Sequence, residues 1–215
     1  MVMKFFMNIA PHYRGPLWNI LINNSEIESH FFYGDINNGI EPIDFEKNGF
    51  SSRKGQLHKV KNYCWKKYTL IWQSKTIEEC CMGKFDYAIF SSEMSRASTW
   101  VAAVICRIRG IKVVYWAHGL YGNEKGLKLM LKKTFFRLAN KFLLYERRGK
   151  EILIKHGFNP DNMYVFFNSL DYESHNELKQ KLQGLKKSEV FPFLYNNSLP
   201  VVIFVGRLTI KDFLF

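Results

Sequence analysis

Residues 95–119 read SRASTWVAAVICRIRGIKVVYWAHG, and the way this stretch changes its period decides the fold class. Ser95 to Arg109 has helical spacing, Gly110 closes the helix, Ile111 to Ala117 is an unbroken apolar run of strand length, and a His-Gly loop follows. The same alternation continues on both sides. Upstream, Tyr87 to Phe90 is a strand preceded by a helix predicted over Tyr68 to Cys81. Downstream come a basic helix over Lys125 to Asn140, a strand over Lys141 to Tyr145, a helix over Arg147 to His156 stopped by Gly157, and a strand over Tyr164 to Phe167. Repeated β-α units of this kind imply an α/β fold with a Rossmann-like parallel sheet flanked by helices.

The N-terminal part fits less regularly. Val2 to Ala10 is a buried-strand run, Pro16 stands where a helix can begin, and Leu17, Ile20 and Leu21 follow at helical spacing. A second apolar burst covers His30 to Tyr33. Ile36 to Gly55 is polar and loop-like, and Gln56 to Trp65 reads as a strand or a hairpin. Toward the other end, Glu173 to Lys187 is helical. Periodicity fades over 188–199, and Pro200 introduces the strongly apolar Val201 to Val205. The expected organisation is a first domain over 1–187, a linker over 188–199, and the start of a second domain over 200–215.

Composition removes several classes. With 47% hydrophobic and 16% aromatic residues in 215, the chain is too apolar to be disordered. Its longest apolar run, Trp100 to Cys106, stops at Arg107, well short of a membrane span. The N-terminus lacks a signal-peptide cleavage site, so a cytoplasmic protein is expected, with Cys64, Cys80, Cys81 and Cys106 as reduced thiols. The six histidines show no HxH or HxxxH spacing, so no metal site is expected. The net charge of +12 is concentrated in two stretches, 53–67 and 128–155, which suggests anionic partners.

Ligands of open parallel sheets bind beyond the C-terminal ends of the strands, so the loops there are the candidate site. Pro11 to Pro16 contains Tyr13, Arg14 and Gly15 ahead of a helix N-terminus, where free N–H groups favour a phosphate or a sugar; the alternative is a tight turn with Arg14 in solvent. His118 and Gly119 leave a buried strand. There the histidine could exchange a hydrogen bond with a substrate hydroxyl, or serve a structural role, and the glycine admits close approach. Gly206, Arg207 and Lys211 follow the last apolar run. They would suit a diphosphate, or form a solvated surface turn.

Taken in order, PHYRGPLW (11–18), the His118-Gly119 loop, NSLD (168–171) and VVIFVGRL (201–208) resemble glycosyltransferases of family 4, which have the two-domain GT-B fold. The resemblance implies retaining transfer of a sugar from a nucleotide-diphosphate-sugar donor to a glycan or lipid-linked acceptor in surface polysaccharide synthesis, with no obligatory metal and no bound cofactor. It implies that His118 contacts the transferred sugar and that Arg207 neutralises charge on the leaving diphosphate, with Gly206 and Lys211 beside it. Tyr13, Arg14, Gly15, Gly119 and Asn168 would face the acceptor. The family's paired-glutamate donor motif does not occur in this sequence, so a truncated chain without transfer activity of its own is expected.

Three partner classes remain open at this level. The helix with Lys125, Lys128, Lys132, Lys133 and Arg137 among Leu127, Met130, Leu131, Phe135 and Leu138 suits the anionic inner face of a membrane, or else a core stripe under a solvated face. A separate donor-domain chain could pair with Val201 to Val205. A nucleic-acid-binding module is disfavoured, because Tyr63, Trp65, Tyr68 and Trp72 fall at no spacing that forms a stacking platform.

Overall fold

Phe5 and Phe6 are adjacent in β1 (Val2–Met7), yet each is buried in a different core. Successive side chains of a strand point to opposite faces, so β1 must be covered on both sides. The computed structural model describes residues 1–35, 40–50, 55–65, 70–167, 171–186, 189 and 193. Within them the elements follow as α1 (Gly15–Asn23), β2 (Glu28–Tyr33), β3 (Leu57–Lys59), β4 (Tyr63–Trp65), β5 (Leu70–Trp72) and α2 (Ser74–Met82). Then come β6 (Tyr87–Ser91), α3 (Ala97–Ile108), β7 (Lys112–Ala117), α4 (Gly126–Phe136), β8 (Lys141–Leu144), α5 (Arg147–Lys155), β9 (Met163–Val165) and α6 (Tyr172–Leu182).

Seven strands form one sheet in the order β3-β2-β1-β6-β7-β8-β9, and every pairing in it is parallel. The α/β Rossmann-like class read from the alternation is therefore correct. The chain winds outward from β1 in one direction and from β6 in the other, so the switch point lies between these two strands, where an open sheet leaves a crevice at its C-terminal edge. On one face α1 lays Trp18 and Ile22 over Phe5, Phe31, Ile89 and Val114. Trp18 and Phe31 stack at 4.2 Å, and Phe5 and Phe31 at 4.5 Å. On the other face Ala102, Ala103 and Cys106 of α3 meet Phe6, Phe90 and Tyr115, while Cys80 of α2, Phe135 and Phe136 of α4 and Leu153 of α5 complete the layer. Each fully buried aromatic contributes about 1.5–3 kcal/mol, which makes this doubly covered sheet the source of most of the stability.

Two predicted elements are corrected. The helix expected over Tyr68 to Cys81 begins only at Ser74, because Leu70–Trp72 is the strand β5. Three strand-forming residues stand there, and the Ile71 amide is held by the Ser95 carbonyl at 2.8 Å. Gln56 to Trp65 divides in two. Leu57–Lys59 joins the main sheet beside β2, and Tyr63–Trp65 pairs with β5 in a separate antiparallel ribbon. That register sets Tyr63 opposite Trp72 and Trp65 opposite Leu70, so one face of the ribbon is apolar and largely aromatic. Of the four aromatic residues considered for stacking, Tyr63, Trp65 and Trp72 share this face, and Tyr68 lies outside the described residues.

By contacts the chain divides into Met1–Tyr172, which holds the sheet, and a second unit, Glu173–Phe215. In the second unit the described helical residues continue α6 to Leu182. The expected linker and the run from Pro200 lie outside the described residues, Glu189 and Phe193 apart. No described helix is long and apolar enough to cross a membrane.

Candidate functional site

The crevice at the switch point is lined by the ends of β1, β6 and β7. Met7, Asn8, Ile9, Pro11, Tyr13 and Arg14 come from the first, Ser91 and Glu93 from the second, and Trp116 from the third; Trp18 of α1 and Tyr145, after β8, complete the wall. These residues surround a cavity of about 120 Å3, and a second of about 310 Å3 lies beside it around Ser92, Met94, His118, Gly119, Tyr121, Lys132 and Phe136. Glu93, Ser91, Trp116 and Tyr145 border both, so they form the wall between two adjoining compartments.

Arg14 ends a 3-10 turn, His12–Arg14, that leads into α1, with Gly15 and Pro16 as the first helical residues. Its side chain is not in solvent: the residue is 7% exposed. The guanidinium lies 4.4 Å from the Trp116 ring centre, 5.3 Å from Tyr145 and 5.6 Å from Tyr13, and donates to the Tyr145 hydroxyl at 2.9 Å. Aromatic faces attract a cation, and these three rings fix the Arg14 guanidinium at the crevice floor, beside the N-terminus of α1. Burial raises the Tyr145 hydroxyl above its ordinary value, and Arg14 opposes that shift, so the hydroxyl stays protonated at neutral pH.

The His118 loop is built from a different set of contacts. Its ring lies 4.4 Å from Tyr145 and 6.0 Å from Tyr121, so Tyr145 touches both His118 and Arg14. Gly119 has φ +82°, and the backbone here rests on Gly149 of α5, where a Cβ atom would stand 2.1 Å from the His118 carbonyl oxygen. Glu124 secures the far end. Its carboxylate accepts from the amides of Tyr121 and Gly122 at 3.1 and 2.9 Å and from Lys132 Nζ at 2.6 Å. Burial alone would raise this carboxyl, but Lys132 and the backbone donors outweigh it and hold it at about 2.

Beneath both compartments runs a buried polar network. Arg96, fully buried, donates to the Phe6 carbonyl at 3.2 Å and to Gln73 Oε1 at 2.6 Å, and also bonds Ser91 Oγ. Gln73 in turn donates to the Met7 carbonyl at 3.0 Å and to Asn62 Oδ1 at 2.6 Å, and Asn62 reaches the Asn8 carbonyl at 3.0 Å. Burial lowers the Arg96 guanidinium to about 10, with Glu93 opposing, so it stays charged at neutral pH. These bonds tie the ends of β1, β6 and β5 together and fix the positions of Asn8 and Ser91.

Of the residues singled out from sequence, Tyr13, Arg14, Gly15, His118 and Gly119 meet along this edge of the sheet. Asn168, Gly206, Arg207 and Lys211 lie outside the described residues. Asn8, Glu93, Trp116, Tyr145, Glu124 and Gly149 were not singled out, although Asn8, Glu93 and Tyr145 each follow a predicted strand or stand near its end. Asn8 Nδ2 donates to a Glu93 carboxylate oxygen. Asn8 Oδ1 and Trp116 Nε1 are buried with no hydrogen-bond partner among the described residues. A carboxylate, an amide, an indole, two tyrosines and a buried guanidinium suit a polyhydroxylated ring bearing, or adjacent to, negative charge. No group of three or more metal-binding side chains occurs among the described residues.

No protein-family model matches the chain, and no curated protein matches it. Solved structures do. A UDP-GlcNAc 2-epimerase from Neisseria meningitidis bound to UDP-GlcNAc is 15% identical with a TM-score of 0.56, the match covering 92% of this chain and 56% of that one. The Methanocaldococcus jannaschii UDP-GlcNAc 2-epimerase in complex with UDP-GlcNAc and UDP is 13% identical, with a TM-score of 0.53 and coverage of 77% and 46%. A lipopolysaccharide outer core galactosyltransferase in its apo form is 13% identical, with a TM-score of 0.53 and coverage of 81% and 47%. The chain thus spans about half the length of the structures it matches, and what it shares with them is a parallel, helix-flanked Rossmann-like sheet of the GT-B type.

Proposed function

We propose that this chain is the acceptor-side part of a nucleotide-sugar-dependent glycosyltransferase, with the sugar lying across the two compartments between Arg14 and His118. The observation that carries the reading is the convergence of Arg14, Trp116, Tyr145, His118 and Glu93 at the switch point of the sheet. The similar folds named as a galactosyltransferase and as UDP-GlcNAc 2-epimerases support a nucleotide sugar as the ligand class. His118 would meet the reacting end of the sugar, and Glu93 with Asn8 would bond acceptor hydroxyls. Arg14 would offset negative charge where a diphosphate or an acidic sugar approaches, and preorganised charge of this kind is a large catalytic contribution. By the sequence resemblance, Gly206, Arg207 and Lys211 would hold the diphosphate, without a metal.

A second reading, a sugar-nucleotide epimerase, is favoured by the named activity of two of these structures. It would use the same crevice without an acceptor. Saturation-transfer NMR with UDP-hexoses and short glycans distinguishes the two. The glycosyltransferase reading expects transfer to ring protons of both ligand types, weakened in Trp116→Ala and in His118→Ala. Saturation of the nucleotide sugar alone would favour the epimerase, and saturation of neither would overturn both.

A further inference from the structure

We propose that the β4–β5 ribbon and the first turns of α4 together form a rim that lies on the surface of an anionic lipid bilayer. The inference does not depend on which sugar chemistry the crevice performs.

Two elements, separate in sequence, expose large apolar side chains at the same edge of the sheet. In the ribbon, Tyr63 is 42%, Trp65 52% and Leu70 43% exposed, and their shared face follows from the Tyr63–Trp72 and Trp65–Leu70 pairings. The opposite face is anchored: Ile71 is buried and bonded to Ser95, at the C-terminal end of β6. In α4, Leu127 is 67%, Met130 57% and Leu131 43% exposed, while Phe135 and Phe136 at its far end are buried. The core-stripe alternative for this helix therefore holds for Leu129, Phe135 and Phe136, and not for Leu127, Met130 and Leu131. The helix starts just after the His118 loop, at the C-terminal end of β7, two strands along from β1. The helix α3, against which β5 packs, lies on the same side of the sheet as the buried end of α4.

Charge selects the occupant. Lys59 and Lys61 flank the ribbon, with Lys61 Nζ 5.0 Å from the Tyr63 ring centre. Lys125, Lys128, Lys133 and Arg137 flank the apolar part of α4, and the acid nearest them in sequence, Glu124, is buried and engaged by Lys132. Lysines bordering apolar side chains suit headgroup phosphates above acyl chains, and Trp and Tyr are the residues that settle at that boundary. A single-stranded nucleic acid would use Tyr63 and Trp65 as stacking faces, but it gains nothing from Leu127, Met130 and Leu131, which have no π face. A bilayer uses both sets.

The test is flotation of the full chain with vesicles of phosphatidylcholine alone and of phosphatidylcholine with phosphatidylglycerol, alongside tryptophan emission. Binding is expected only with phosphatidylglycerol, with weakening at high salt and a blue shift of emission that is reduced in Trp65→Phe. Leu127→Ser/Leu131→Ser and Lys128→Glu/Lys133→Glu should each lower partitioning by about tenfold or more. All these positions are exposed or half-exposed, and circular dichroism of each variant confirms that it is folded before it is scored. Equal binding to both vesicle types, no binding, or binding unchanged in the folded variants would overturn the proposal. So would tighter, salt-sensitive binding to a single-stranded oligonucleotide that displaces the vesicles. Failure here with retained sugar binding in the crevice would leave the functional reading intact, and the reverse result would leave the rim intact.

Discussion

Gly149 sits in a basic stretch, RRGKE, with nothing in its neighbours to suggest a constraint, yet it determines how closely α5 and the His118 loop can approach. Gly149→Ala would place a Cβ 2.1 Å from the His118 carbonyl, a distance no structure tolerates, so the loop or the helix must move. A loss of about 1–3 kcal/mol in urea unfolding is expected, along with shifted NMR signals for His118 and Gly119. The same substitution at Gly157, where a Cβ meets nothing within 4 Å, tests only the φ of +86° and should leave the His118 signals in place. Glu124 works on the same loop through charge. Glu124→Gln removes a carboxylate whose folded pKa is near 2, well under the ordinary 4.5, so about 3 kcal/mol of stability should be lost at neutral pH. In the wild type that contribution is full above 4.5 and fades as pH falls toward 2, so the wild type and the variant should converge in acid. Arg96→Met would remove a buried donor from Gln73 Oε1, which keeps only Thr76 Oγ1, and from the Phe6 carbonyl. Urea unfolding should show a loss of about 3 kcal/mol. Neither Gly149 nor Arg96 is legible in the sequence, because each matters through a contact with a residue distant in the chain.

At the scale of elements, the sequence is most readable where period and length agree. The β6-α3-β7 stretch and the units after it are recovered with shifts of a few residues at their ends, since a buried strand and an amphipathic helix have distinct patterns over that length. The ribbon was harder to read. Residues 63–72, YCWKKYTLIW, set aromatic and apolar residues on both sides of two lysines, a pattern that short helices and short strands share, and the choice is made by the Ile71–Ser95 bond and by Gln73, whose side chain is committed to Arg96 and Met7. The edge strand β3 is short, and its His58 packs against His30 and Phe32 of β2. His58 Nε2 is 3.3 Å from His30 Nδ1, its ring stacks on Phe32, and Glu28, Glu79, Lys4 and Lys75 are the charged groups around the pair. Burial, then His30, lowers His58 below its ordinary 6.5, against the pull of Glu79. The unfolded chain therefore binds the proton more readily, and stability should fall as pH drops below 6.5. His58→Gln should flatten that slope in unfolding midpoints measured between neutral and mildly acidic pH; an unchanged slope would show that the pair is not its source.

For the whole molecule, the parallel order β3-β2-β1-β6-β7-β8-β9 does most to locate function, because it puts the switch point between β1 and β6 and so predicts the crevice independently of any motif. Motif reading found the two loops at its ends, around Arg14 and His118, but not the wall between them, since Trp116, Tyr145 and Glu93 gain their meaning only when β6, β7 and β8 lie side by side. Of the 31 basic residues against 19 acidic, exposed Lys125, Lys128 and Arg137 border the exposed Leu127, Met130 and Leu131 of α4. The most direct test is a titration of the nitrogen-15-labelled chain with UDP-GlcNAc or UDP-galactose, following the indole N–H of Trp116, assigned by its loss in Trp116→Phe. A ligand in the crevice is expected to shift that signal and the Gly119 amide, and to leave the indole signal of Trp65, which lines neither compartment, unmoved. Saturable shifts confined to residues away from the ends of β1, β6 and β7, or no shift with any nucleotide sugar or glycan, would contradict it.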